Sequence, residues 1–453
     1  MTAPSLPLTL AVVGHTNTGK TSLLRTLLRN ADFGEVQDSA GTTRHVEAAQ
    51  LRVLGRPYIE LRDTPGLEDS VALSRQLQQV PQPLRGRACL EHFIQTAQPA
   101  AAAEFEQEIK VLRQALECHA MLYVIDSREP VLEKYRQEIL TLGLASRPIL
   151  PVLNFIRHDN SQLQQWRSAL AELGLHALVE FDTVAFDFEA EKRLYQKLQT
   201  LLEAWYQPLQ TLLEHRAEEW RQMRNACIHQ SASLLVEMAT LTVPLNKSVP
   251  RSLQLQNLQN RVRQREQRCL DAVLERLNFS AEDVELSNLP VQNGEWKLDL
   301  FAPETLKSFG LDAASAAATG AAIGAGIDLV LAGMSLGAAS LTGAAIGTAW
   351  HTGRRYGKDL LARLRGDTIL CVDDTTLNLL LLRQLSLLRH LFRRGHAALT
   401  PVQVAEKDQP PLPEGWADQV RKMRGLLTMR AGTDTREYKA VLVHCLDWLN
   451  AVI

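Results

Sequence analysis

Scarcity is the first information in this 453-residue chain. Its six cysteines, Cys89, Cys118, Cys227, Cys269, Cys371 and Cys445, are dispersed and form no Cys-x-x-Cys pair. That excludes a disulfide scaffold or a cysteine-based zinc motif and fits reduced core thiols in a cytoplasmic protein. Net charge is almost absent, at -2 with 22% charged residues, which excludes a surface given over wholly to nucleic acid but allows a local basic patch. The N-terminal MTAPSLPLTLAVVG lacks a basic segment followed by a long apolar one, so it is not read as a signal peptide. The 12 histidines are scattered, and no metal cluster or Ser/His/Asp arrangement stands out. Length sets the remaining bound: one ordinary core does not serve a chain this long, and two or three domains are expected.

What is present begins with VVGHTNTGKTSLL, Val12 to Leu24. An aliphatic run, Leu8 to Val13, reads as a buried parallel strand, and SLLRTLLRN after the glycine-rich turn has helical spacing. Strand, turn and helix together make Gly14, His15, Thr16, Asn17, Thr18, Gly19, Lys20, Thr21 and Ser22 a phosphate loop. Its backbone N–H groups and the helix N-terminus face phosphate, Lys20 reaches the terminal phosphates, and the Thr21 hydroxyl ligates Mg²⁺. A second anchor follows 43 residues after Lys20, in LRDTPGL. Asp63 ends a strand and holds Mg²⁺ through water, and the Gly66 N–H meets a γ-phosphate. Between them AGTTRHVEAAQLRVLGRPYIEL reads as a switch loop and two strands hinged at Gly55-Arg56.

These motifs resemble the bacterial Era/TrmE-like branch of P-loop GTPases over residues 8 to about 190. The switch motif there is Gly-Thr-Thr-Arg-Asp, and this chain has Gly41-Thr42-Thr43-Arg44-His45. The resemblance implies GTP/GDP and Mg²⁺ as cofactors, Thr43 as the switch ligand of Mg²⁺ with Thr42 as rival, and Lys20, Thr43 and Gly66 as the catalytic set. Asn17 stands where potassium-activated members coordinate K⁺; the alternative is that it merely fits the backbone of the loop. Leu67 replaces the water-orienting glutamine of Ras-like proteins, which implies slow intrinsic hydrolysis, and Glu68 and Asp69 are assigned no catalytic role. The base-reading Asn-Lys-x-Asp is degraded: Asn154 is kept, but Phe155 and Arg157 take the Lys and Asp places. Asp159 serves only if the loop bulges, and Thr183 in FDTVAF belongs to the next loop. Dimerisation across nucleotide faces is implied by resemblance alone.

Asp63 and Asn154 lie 91 residues apart, more than one helix and one strand need, so an insertion occupies about 75–115. It includes a proline-marked loop and helical spacing from Phe105 to Leu116, in a place suited to a nucleotide-dependent partner. From about Glu203 the pattern changes to long helices. One carries Leu253, Leu255, Leu258 and Val262 as an apolar stripe with Arg261, Arg263, Arg265 and Arg268 among the polar positions. That face suits RNA, anionic lipid or plain solvent. Residues 313–350 hold a single charge, Asp328, and pair Gly320 with Gly324, Gly333 with Gly337 and Gly343 with Gly347 in Gly-x-x-x-Gly spacing. Such spacing builds a close-packed helical hairpin. Each arm of about 18 residues, roughly 27 Å, just reaches the ~30 Å of a bilayer. Arg354, Arg355, Lys358, Arg363 and Arg365 form a basic flank behind it. Against insertion, Asp328 costs about 2.5–3.5 kcal/mol at a bilayer centre. A transmembrane hairpin, a nucleotide-regulated membrane contact and buried core all remain open.

The fold expected is an α/β P-loop G domain, a mostly parallel sheet flanked by helices, over residues 1–205. An all-α domain follows over 206–453, with the Gly/Ala-rich hairpin at 313–350. Three functions follow from this reading: a GTP-hydrolysing switch, cytoplasmic or at the inner membrane; a ribosome- or RNA-associated GTPase; and a slow-turnover nucleotide-binding scaffold with loose base specificity. Pathway and effector are not legible in the sequence.

Overall fold

The computed structural model describes residues 7–29, 47–80, 84–96, 105–156, 160–183, 188–277, 291–292, 295–309, 327–330, 369–393, 412–429 and 435–453. They fall into two compact units, one up to Trp220 and one from Arg221 onward.

The first unit is built on a six-stranded sheet of order β2-β3-β1-β4-β5-β6. Its strands are β1 (Leu8–Val13), β2 (Glu47–Val53), β3 (Arg56–Asp63), β4 (Ala120–Asp126), β5 (Ile149–Asn154) and β6 (Val179–Glu180). Only β2 runs antiparallel, joined to β3 by Leu54 and Gly55, both at positive φ as a tight right-twisted hairpin requires. The parallel strands are aliphatic on both faces because helices cover both. Leu8, Leu10 and Val12 face one apolar cluster, while Ala11 and Val13 face the other. On the first face lie α1 (Lys20–Leu28) and α7 (Phe188–Leu201). The second carries α2 (Ser70–Gln78), α3 (Arg87–Thr96), α4 (Glu106–Glu117), α5 (Glu133–Gly143) and α6 (Leu163–Glu172). Helices α3 and α4 account for the long gap between Asp63 and Asn154.

Register sets what meets at the sheet's carboxyl edge. Val12 is level with Asp63, Val13 with Tyr123, and Asp126 with Asn154. The loops leaving β1, β3, β4 and β5 therefore open on one side, where ligands of open α/β sheets bind.

The second unit is chiefly helical, with the long elements the periodicity foretold. Helix α8 (Tyr206–Thr240), 35 residues long, carries the boundary between the units. It is followed by α9 (Arg251–Arg276), α10 (Pro303–Ser308), α11 (Asp374–Arg393), α12 (Trp416–Met429) and α13 (Arg436–Val452). Short strands add to this. An antiparallel sheet of order β10-β11-β7 joins Ile327–Val330, Ile369–Val372 and Thr242–Pro244, and β8 (Val291–Gln292) pairs with β9 (Glu295–Trp296).

Of residues 313–350 only Ile327–Val330 are described, and they are extended, with Asp328 opposite Cys371. A β-branched residue at each end and a partner strand to satisfy the backbone favour extension there over a helical turn. The glycine pairs of the expected hairpin lie outside the described residues. Among the described residues no helix is long and apolar enough to cross a membrane.

Candidate functional site

The loop after β1 wraps around a lysine. Gly14 and Gly19 have φ of 143° and 90°, which side-chain-bearing residues resist. Space is a second constraint: a Cβ on Gly14 would lie 2.5 Å from the Val124 carbonyl oxygen, and one on Gly19 would lie 2.3 Å from Asn154 Nδ2. Asn17 is exposed and left-handed at φ 64°, a conformation asparagine tolerates better than most residues. Lys20 is buried, and its Nζ donates to the carbonyls of His15 at 2.7 Å and Gly14 at 3.2 Å. Burial pulls its pKa down to about 8, although Asp63 and Glu138 oppose the shift. Thr18 Oγ1 also donates to the His15 carbonyl, at 3.0 Å. Gly19 caps α1 without a side-chain hydrogen bond, so the first-turn N–H groups, Thr21 and Ser22 among them, are not satisfied by a cap.

The β3 loop lies directly on this turn. Thr21 Oγ1 donates to Asp63 Oδ2 at 2.7 Å, bringing together the two expected Mg²⁺ ligands. Thr64 Oγ1 donates to the Val12 carbonyl at 2.7 Å, and Leu67 N to the Gly14 carbonyl at 3.2 Å. Gly66 is pressed against Thr16, where an added Cβ would meet Thr16 Cα at 2.7 Å, so only glycine fits. Leu67 is core, which explains an apolar residue there. Asp69 caps α2, accepting from Ala72 N at 2.9 Å, and this is a structural duty.

Asn154 is fully buried and ties three loops. Its Nδ2 donates to the Thr18 carbonyl at 3.0 Å, and its Oδ1 accepts from Phe155 N, Thr183 N and Thr183 Oγ1 at 2.9, 3.0 and 3.1 Å. The structure thus joins Asn154 and Thr183 to the phosphate loop. Phe155, at φ 56°, lays its ring beside Gly19, and the Arg128 guanidinium sits 4.0 Å over the ring centroid. Asp126 grips Arg128 through two hydrogen bonds, at 2.9 and 2.6 Å. Thr43 and Asp159 lie outside the described residues.

Two buried carboxylates, not among the residues expected from the sequence, flank the site. Glu108 accepts from the backbone N–H groups of Glu68 and Asp69, at 3.1 and 3.2 Å. Glu138 accepts from Tyr123 Oη at 2.6 Å and is 2.8 Å from His15 Nδ1. Each sits inside an apolar helical stripe: Phe105, Glu108, Ile109, Leu112 on one, and Tyr135, Glu138, Ile139, Leu142 on the other. A glutamate on the buried face of an amphipathic helix is a readable signal, because such a charge must find a partner.

Strand, glycine-rich turn, buried lysine and the Thr21–Asp63 contact define a P-loop GTPase domain of the Era/TrmE-like kind. Residues 9–155 match the family model described as 50S ribosome-binding GTPase, and residues 167–444 match the one described as Domain of unknown function (DUF3482). The second match covers more than half of the chain, and the protein belongs to that family. It is similar to GTPase Der of a Nitratiruptor species, 25% identical over 157 residues that make up 35% of this chain and 27% of the relative. A segment of 62 residues is 50% identical to tRNA modification GTPase MnmE of Orientia tsutsugamushi (strain Boryong), covering 14% of this chain and 13% of the relative. The chain thus spans about a quarter or less of the length of these curated relatives. Among solved structures it is similar to Era in complex with MgGDPNP and nucleotides 1506–1542 of 16S ribosomal RNA. That likeness has 18% identity and a TM-score of 0.31, over 43% of this chain and 56% of the other.

Proposed function

We propose that this protein is a Mg²⁺-dependent GTP hydrolase, converting GTP and water to GDP and phosphate and working as a switch. The observation that carries the reading is the buried Lys20 hydrogen-bonded to its own loop carbonyls, next to the 2.7 Å Thr21–Asp63 contact. A triphosphate would give Lys20 a better partner than neutral carbonyls, since ion-assisted hydrogen bonds are the stronger kind. Two hard oxygen donors already in contact suit Mg²⁺, with Thr21 and Asp63 as its protein ligands and Thr43 joining by resemblance. When bound, Mg²⁺ supplies charge neutralisation at the β- and γ-phosphates. Gly66 is the residue whose N–H would sense the γ-phosphate, and its contact with Thr16 supports that role. Loss of the γ-phosphate would free the loop at Gly66 and with it the start of α2.

A second reading, a nucleotide switch with loose base specificity, is favoured by Phe155 and Arg128 in the corner where a base-reading motif belongs. Calorimetry with GTP, GDP and ATP on wild type and Asp159→Ala separates the two. A guanine preference of tenfold or more, about 1.4 kcal/mol, that Asp159→Ala abolishes supports the GTPase reading. Equal affinities support the second. Phosphate release with and without K⁺ tests Asn17: equal rates would leave it only its backbone role.

A further inference from the structure

His15 holds two neighbours at once. Its carbonyl accepts from Lys20 Nζ at 2.7 Å, while its imidazole points to α5. There Nδ1 meets Glu138 Oε1 at 2.8 Å, Nε2 lies 3.0 Å from Lys134 Nζ, and the Tyr135 ring stands edge-on at 5.4 Å. An ammonium can only donate, so with Lys134 charged Nε2 accepts, and Nδ1 carries the proton given to Glu138. Glu138 is completely buried, and Tyr123 Oη takes its other oxygen. The ring is therefore held at both nitrogens by one helix.

The same turns of α5 hold the segment beyond Gly66. Ser70 Oγ donates to the Lys134 carbonyl at 2.8 Å, and Ser74 Oγ donates to Gln137 Oε1 at 2.9 Å. Backbone pairing of Leu67 with the phosphate loop closes the circuit from the other side. We propose that α5 is the transmission element of the nucleotide switch, with His15, Lys134 and Glu138 as positioning residues. Through them the grip of Lys20 on phosphate depends on how α2 is packed. The inference rests on the GTPase reading above and adds the route by which γ-phosphate and α2 influence each other.

The route has a signature that a merely structural contact lacks. Only a triphosphate reaches Gly66, so the coupling must alter GTP release more than GDP release. The test follows release of fluorescent GTP and GDP analogues from the full chain by stopped flow, for wild type, Lys134→Met, Ser70→Ala, both together, and Lys134→Arg. Lys134 is partly exposed, and methionine keeps its stem, so the fold should persist; a melting curve checks this. The expected result is GTP-analogue release about fivefold faster in Lys134→Met, GDP-analogue release nearly unchanged, and restoration by Lys134→Arg. In the double variant the second change should add little, as contacts in one circuit are not additive. An unchanged ratio of the two release rates, or effects that simply multiply, would overturn the proposal while leaving the GTPase reading intact. Failure of wild type to bind either analogue would sink both.

Discussion

Buried charge is used differently in the two units. In the first, beside one helix-to-helix pair (Glu191 of α7 with Arg216 of α8 at 3.0 Å), buried polar side chains hold loops: Lys20 the carbonyls of Gly14 and His15, Glu108 the N–H groups of Glu68 and Asp69, Asn154 the Thr18 carbonyl. In the second, they join helix to helix. Arg383 of α11 meets Glu266 of α9 at 2.9 Å and stacks 4.1 Å from the Trp296 ring centroid, and Ser231 of α8 donates to Gln384 of α11 at 2.9 Å. On the proposed function, the loop contacts of Lys20 would be exchanged for phosphate. The second kind fixes which helices pack together, a specificity role that buried polar groups fill in some proteins.

The largest expected effect lies in the second unit. Glu266→Leu or Arg383→Met alone leaves a buried charge uncompensated and should cost about 3–5 kcal/mol, read by denaturant unfolding of the full chain. The double variant should regain most of that loss, because a well-packed apolar pair of similar volume does as well as the ion pair. Burial pushes the Glu266 carboxyl up to about 7 from 4.5, with Arg383 opposing. A carboxyl raised by folding holds its proton longer in the native state. Its contribution is therefore full below about 4.5 and is lost as pH rises through about 7. The double variant should lack that slope. A double variant as unstable as the single ones would mean that packing, not charge pairing, sets this core.

Asn154 gives the intermediate effect and tests whether an uncharged member of the first kind also serves the ligand. Asn154→Ala strands the Thr18 carbonyl and the Thr183 N–H and hydroxyl and should cost about 1–3 kcal/mol in thermal or denaturant unfolding. It should also weaken nucleotide binding, since the Gly19 turn leans on its amide. If stability falls and affinity does not, Asn154 is purely structural, like the buried polar groups of the second unit.

Legibility in the sequence followed distance along the chain. The phosphate loop is a run of consecutive residues whose spacing is itself the chemistry, Asp63 opens an Asp-Thr-Pro-Gly turn and Asn154 ends a strongly aliphatic strand, so all were readable. Asn17 was readable only as a choice between K⁺ and backbone, and its φ of 64° supplies the backbone reason. Glu108 and Glu138 left a faint mark, a charge on an apolar stripe, but nothing local says which loop each one holds. Strands β7, β10 and β11 are three or four residues long and pair across large gaps, too short for a period-2 pattern to register. Glu266 sits on a largely polar helix and Arg383 on a leucine-rich one, and nothing local in either says that the two side chains meet.

The smallest effect is a pH dependence that only the exchangeable kind of buried charge can show. Lys20 titrates near 8 in the free protein, against 10.5 for an ordinary lysine, because burial disfavours its cation. Between those values the unfolded chain holds the proton that the folded one has lost, so the folding cost of this group fades as pH rises from about 8 to 10.5. Phosphate reverses the preference, since it needs the ammonium. Free protein should therefore gain stability over this range while nucleotide affinity falls, by up to about tenfold per pH unit above 8. Calorimetry with GDP from pH 7 to 9 measures the affinity. Lys20→Arg, whose guanidinium keeps its proton, should show weaker but nearly flat binding. A wild-type profile as flat as the variant's would mean that Lys20 is already charged before phosphate arrives. Its loop carbonyls would then be its permanent partners, and the first unit's buried charge would be as fixed as the second's.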